Sequence, residues 1–154
     1  MQEIERKFLV RRDLFPTTGA GTIMKQGYLS VDPDRVVRIR REGDRAWITI
    51  KGGIEGITRP EYEYPVPVED AEALLRLALF PPVEKIRHRV TIEGTLWEVD
   101  EFLGANAGLL MAEVELKSED TTFCRPEWLG EEVTHDRRYY NAQLAQHPFA
   151  LWKG

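Results

Sequence analysis

Like-signed charges recur at alternate positions along this chain, and nothing else in the sequence restricts its fold as much. Glu3, Glu5 and Lys7 open the series, and Glu113, Glu115 and Lys117 repeat their spacing near the other end. Between them stand Arg38 and Arg40, Lys51, Glu61 and Glu63, the trio Lys85, Arg87 and Arg89, and Glu98 with Asp100. Successive side chains of a β-strand point to opposite faces, so each group shares one face, while neighbours such as Ile4 and Phe8, or Val37 and Ile39, take the other. The chain therefore reads as a set of amphipathic strands, each with one charged face.

Turn residues divide these strands. Asp32-Pro33-Asp34 separates a strand over 23–31 from one over 36–41, Gly43-Asp44 leads into 46–51, and Glu93-Gly94 turns 83–90 into 96–102. Strands over 3–10, 61–64 and 110–117 complete the set, with Thr17 to Thr22 and Gly104 to Gly108 as loops. Hairpin linkage of this kind implies an antiparallel sheet. Two helices are expected beside it. One runs over 70–79, with Glu69 and Asp70 near the positive end of its dipole and Ala71, Leu74, Leu75, Ala78 and Leu79 at helical spacing before Pro81-Pro82. The other runs over 136–146 with Thr134 or Asp136 near its cap, and Pro126 to Leu129 reads as a helical turn.

At 154 residues the chain fits one domain, 1–154. Its 42% hydrophobic and 31% charged residues place it among globular rather than disordered or fibrous proteins. A net charge of -5 gives no general attraction to nucleic acid, and no uncharged stretch reaches membrane-spanning length. Cys124 is the only cysteine, which excludes an intramolecular disulfide and fits a reducing compartment. Because the chain opens on charged, strand-like sequence, the expected location is the cytoplasm.

Two readings of the charged faces stand side by side. An antiparallel sheet with one wet face accounts for any single strand. The recurrence of like-signed pairs favours a closed sheet with the charges inside, because a solvated face mixes Ser, Thr, Gln and isolated charges. In a closed sheet the carboxylates would hold divalent cations and the Arg and Lys side chains an oxyanion-rich molecule. A polyphosphate bridged to the protein by Mg2+ or Mn2+ meets both requirements. Glu3 and Glu5 are expected to meet Glu113 and Glu115 only if the sheet closes. The apolar faces would then need outer cover, which the two helices could partly supply.

The ordered series Glu3-x-Glu5-x-Lys7, Arg38-x-Arg40, Lys51, Glu61-x-Glu63, Lys85-x-Arg87, Asp100 and Glu113-x-Glu115 resembles the strand signatures of the CYTH superfamily, the triphosphate tunnel metalloenzymes. Gln26-Gly27-Tyr28-Leu29 and the tail from Val133 to Asn141 are most similar to its small bacterial members, the inorganic triphosphatases. The resemblance implies an α+β fold: a closed eight-stranded antiparallel β-barrel whose charged tunnel is accompanied by a few helices. It implies metal-dependent hydrolysis of tripolyphosphate to pyrophosphate and phosphate. The alternatives are other triphosphate chemistry in the same tunnel (nucleoside or thiamine triphosphatase, adenylate cyclase) or a non-catalytic polyphosphate-binding module. The implied partner is a small-molecule triphosphate, without nucleic acid or membrane, and association as a homodimer is left open.

Carried onto this chain, the resemblance makes Glu3, Glu5, Glu113 and Glu115 metal ligands. Asp100 either completes a metal site or orients a neighbouring Arg. Lys7, Arg38, Arg40, Lys51, Glu63, Lys85 and Arg87 form the substrate-binding set, with Arg59, Arg89, Lys117 and Arg138 as residues that could also reach the tunnel. Tyr28 and Lys85 are the candidate catalytic groups, although a phenol is a poor base unless cationic neighbours favour its ionised form. His88, His135 and His147 are read as structural, and Trp47, Trp97, Trp128 and Trp152 as outer packing.

Overall fold

The computed structural model describes residues 1–16 and 21–152, so Thr17–Ala20 of the expected loop lie outside the described residues. Eight strands form the barrel: β1 (Gln2–Val10), β2 (Thr22–Ser30), β3 (Arg35–Glu42), β4 (Arg45–Gly52), β5 (Thr58–Val66), β6 (Val83–Ile92), β7 (Thr95–Phe102) and β8 (Leu110–Glu115). Their order is β5-β4-β3-β2-β6-β7-β8-β1, every pairing is antiparallel, and β1 closes the ring by pairing Gln2–Ile4 with Thr58–Pro60 of β5. A ninth strand, β9 (Leu129–Glu132), extends the pairing of β1 beyond the point where β5 leaves it. The turn expected over 126–129 is present, with the Leu129 N–H donating to the Pro126 carbonyl at 3.0 Å, and β9 follows it although its Leu-Gly-Glu-Glu sequence has no alternation.

Closure turns the alternate charges inward. The β1–β8 register sets Glu5 opposite Glu115 and Lys7 opposite Glu113, so this one pairing brings the two Glu-x-Glu signatures together, while the β1–β5 contact shuts the ring. Lys117 falls beyond β8 and is exposed, so the repeat of the opening spacing is geometric only as far as Glu115.

The outward faces are covered mainly by irregular chain. Phe8, Trp97, Val99 and Val114 face away from the tunnel and pack beneath Phe15, Phe123 and Trp128, with Trp97 and Trp128 edge to face at 5.8 Å. Helix α1 (Val68–Leu75) covers Ile39 and Ala46 with Ala71 and Leu75. It stops four residues short of the expected end because the Leu79 N–H donates to the Tyr28 carbonyl of β2 at 2.9 Å instead of continuing the helix. Gly27 permits this approach, since a Cβ there would stand 2.8 Å from Leu75 Cδ2.

The C-terminal segment serves a different purpose from the outer cover expected of it. It divides at Tyr140, whose backbone is extended, into a 3₁₀ turn (Arg137–Tyr139) capped by Asp136 and helix α2 (Asn141–Gln146). Leu9, Val83, Phe102 and Met111 prolong the inward faces of β1, β6, β7 and β8, and these residues pack with Leu144 and Ala145 of α2. The inner face thus turns apolar toward one end, where α2 acts as a stopper. Burial there is an ordinary hydrophobic contribution, roughly 25 cal/mol per Å² of apolar surface removed from water.

Candidate active site

Inside the barrel lies a cavity of about 640 Å³, within the range of roughly 300–1,000 Å³ usual for small-molecule sites. Its walls differ in sign. The basic wall comes from β2, β3 and β6. Arg87 forms a fork on Asp100, with Nε–Oδ1 at 2.7 Å and an Nη–Oδ2 contact at 2.8 Å, and also reaches Glu113 at 3.1 Å. Lys85, 1% exposed, stands 2.8 Å from Asp100 Oδ2, the oxygen that also accepts from Arg87. Burial pulls Lys85 down to about 7, against the attraction of Asp100 and assisted by Arg87. Asp100 is itself held below the usual carboxylate range: burial opposes this, but Lys85 and Arg87 outweigh it.

Arg40 is the exception on this wall. Among the described residues it forms no ion pair, and its Nε donates to the neutral Gln26 Oε1 at 2.8 Å. Burial, then Arg38 and Arg87, lower it to about 10. Arg38 donates to Thr49 Oγ1 at 3.1 Å and to Glu63 at 3.4 Å, while its Nε is buried with no partner among the described residues. A buried guanidinium N–H left unpaired is costly unless a ligand supplies the acceptor.

The acidic wall comes from β1, β5 and β8. Lys51 holds Glu3 at 2.9 Å and Glu61 at 3.5 Å, and Lys7 contacts both Glu5, at 3.1 Å, and Glu113. Burial opposes the charge of Lys7, yet Glu113 and Glu5 raise its pKa well above the ordinary lysine value. Glu113 is driven far down by Lys7 and Arg87 in spite of its burial. Glu5 is raised, by burial and then by Glu113. Glu115 has no cationic partner among the described residues. Its side chain keeps contact with solvent, but lost hydration on the tunnel side, followed by Glu3, Glu61 and Glu5, lifts it to about 7. Among the described residues no three acidic, His or Cys side chains converge as a ready-made metal cage, because Lys7 and Lys51 stand between the carboxylates. The donor set still suits a hard divalent cation: all-oxygen carboxylates, two with pKa raised by lost hydration and neighbouring carboxylates.

The structure gathers Glu3, Glu5, Lys7, Tyr28, Arg38 and Arg40 around one cavity, and with them Lys51, Glu63, Lys85, Arg87, Glu113 and Glu115. Asp100 lies behind this surface, 1% exposed, with both oxygens occupied by Arg87 and Lys85. Arg59 and Arg89 also line the cavity. Arg138 instead pairs with Asp136 at 2.6 Å and lies over Trp152. Trp47, expected in outer packing, shares the inward face of Thr49 and Lys51 and lines the cavity with Arg45 stacked on its ring at 5.2 Å. Its alternation with Thr49 and Lys51 was visible in the sequence, and its hydrophobicity outweighed that signal. Gln26 and Asn141 were singled out only as parts of segments; their side chains meet inside the barrel.

A closed antiparallel barrel with facing acidic and basic walls defines a tunnel-type binder of polyanions accompanied by cations. The CYTH domain model matches residues 1–143, and the chain belongs to that family, which implies a divalent metal cofactor. The inorganic triphosphatase of Acetivibrio thermocellus is 44% identical over 153 residues, covering 99% of this chain and 98% of its own. That of Nitrosomonas europaea is 40% identical over 150 residues, covering 94% and 97%. A crystal structure of an inorganic triphosphatase superposes with a TM-score of 0.66 at 39% identity, over 93% of this chain and 97% of that one. A Hippeastrum protein described as a putative adenylyl cyclase with a dominant triphosphatase activity superposes with a TM-score of 0.57 at 13% identity, a likeness of fold.

Proposed function

We propose that this protein hydrolyses inorganic triphosphate to pyrophosphate and phosphate, with Mg2+ or Mn2+, in the cytoplasm. The observation that carries the reading is the presence in one cavity of a deeply buried guanidinium without a carboxylate partner, Arg40, and a carboxylate without a cationic partner, Glu115. One site asks for phosphate and the other for a cation. The near full-length similarity to two inorganic triphosphatases supports the substrate.

Arg38, Arg40, Arg87 and Lys85 bind and orient the triphosphate, Arg by planar forks and Lys as a point charge. Lys7 and Lys51 exchange their carboxylate partners for phosphate oxygens as substrate enters, and Glu63 keeps Arg38 in place. Glu3, Glu5, Glu113 and Glu115 would hold a divalent metal, which would supply neutralisation of phosphate charge and a more acidic water at neutral pH. Asp100 anchors Arg87 and Lys85, the second of the two roles the sequence allowed it. Preorganised positive charge stabilises the transferring phosphoryl group while water attacks in line. Lys85, an ammonium against Asp100 whose pKa burial lowers to about 7, and Tyr28, whose hydroxyl accepts from Gln26 Nε2 at 3.3 Å, are the groups that move protons.

The test is phosphate release from tripolyphosphate, ATP and thiamine triphosphate with Mg2+ or Mn2+ and with EDTA. Tripolyphosphate is expected to turn over fastest, and only with metal. Equal or faster turnover of ATP would remove the inorganic preference, and tight binding without turnover in any metal would make the protein a binding module.

A further inference from the structure

Arg40 on β3 and Lys85 on β6 are two cations on strands separated by β2, and a chain of neutral amides joins them. Arg40 Nε donates to Gln26 Oε1 at 2.8 Å, Gln26 Nε2 donates to Asn141 Oδ1 at 3.1 Å, and Lys85 Nζ donates to the same Oδ1 at 2.9 Å. Gln26 is completely buried. The polarity of both amides is dictated from the ends: a guanidinium and an ammonium can only donate, so each carbonyl oxygen must face a cation. The acceptors are uncharged. They hold the two cations in place without adding negative charge, so Arg40 keeps its full positive charge and Lys85 is opposed by Asp100 alone. Asn141 is the first residue of α2 and follows the extended backbone of Tyr140, whose side-chain hydroxyl donates to the Thr134 carbonyl at 3.2 Å.

We infer that Gln26 and Asn141 are positioning residues that fix the separation of Arg40 and Lys85, so that docking of α2 completes the phosphate-binding surface. This rests on the reading of the cavity as a triphosphate site. The spacing matters to a ligand that touches both cations and not to one that touches a single cation. Displacements of an ångström at such groups cost up to about 100-fold.

The experiment compares Asn141→Leu, Gln26→Met and the double variant with the unaltered chain, measuring kcat and KM for tripolyphosphate and inhibition by orthophosphate. Gln26→Met keeps the side-chain volume, adds no charge beside Arg40 and removes the link to Asn141, so it carries the test should Asn141→Leu fail to fold, as judged by circular dichroism and thermal melting. The expected result is a fall of about 10-fold or more in kcat/KM for tripolyphosphate with inhibition by orthophosphate unchanged, and a double variant no worse than the poorer single one, as coupled residues behave. Equal weakening of both ligands, no weakening, or additive losses would each overturn the inference. Failure of the unaltered chain to bind or hydrolyse tripolyphosphate would instead overturn the functional reading beneath it.

Discussion

The two walls of the tunnel use the same device with opposite signs, and they differ in where it is left incomplete. On the basic wall, Arg87 and Lys85 are locked onto Asp100, while Arg40 meets only the amide of Gln26. On the acidic wall, Glu3, Glu5 and Glu113 are met by Lys51 or Lys7, while Glu115 faces other carboxylates. Ion pairing between the walls keeps the empty barrel folded in spite of its buried charge. Arg40 and Glu115 are where a phosphate and a cation would add charge that the facing wall does not supply.

The hardest way to break this comparison is to remove the acidic wall's open position. Glu115→Gln and Glu5→Gln are each expected to lower turnover by about 100-fold or more, the scale set by losing one electrostatic contact to developing charge. Retained activity would remove them as metal ligands. Glu115 should also report on stability. Its folded pKa of about 7 lies above the ordinary glutamate value of 4.5, so between these values the unfolded chain binds fewer protons and stability falls as pH rises. Glu115→Gln should therefore melt higher than the parent at pH 8 without metal and no differently at pH 4, even as it loses function.

The basic wall is sharpened by contrasting Arg87→Met with Arg40→Met. Arg87→Met leaves Asp100 and Glu113 short of a buried partner and should cost about 3–5 kcal/mol in urea denaturation, as breaking a buried pair does. Arg40→Met breaks no ion pair among the described residues. It should leave the urea midpoint near that of the parent, while affinity for tripolyphosphate in calorimetry falls by about 10- to 100-fold, since a charge-assisted contact contributes roughly 1.5–3 kcal/mol. A reversed pattern would exchange the structural and binding roles assigned here. The smallest effect is proton linkage. Below pH 7, metal binding must displace the proton from Glu115, and by pH 8.5 that proton is gone. Calorimetry in buffers of different ionisation enthalpy should thus show proton release at pH 6 that vanishes at pH 8.5.

The alternating like charges determined most of the barrel. A period of two places Glu3 with Glu5, Arg38 with Arg40 and Lys85 with Arg87 on single faces whatever the surroundings, and one ordered series suffices to name the strands and the tunnel residues. Local pattern was silent where long-range contacts decided. Strand β9 has no period of its own and exists because β1 offers it an open edge. Helix α1 ends at Leu75 because the next chain segment bonds to β2. Trp47 turned inward because strand phase outranks hydrophobicity. Asp100 and Glu115 are both carboxylates on inward faces, and only the tertiary structure separates them, since one has two cations within 3 Å and the other has none among the described residues. The same holds for Gln26 and Asn141, 115 residues apart. Charge and period are properties of the chain, whereas which charge is neutralised depends on neighbours that only barrel closure and the docking of α2 bring together.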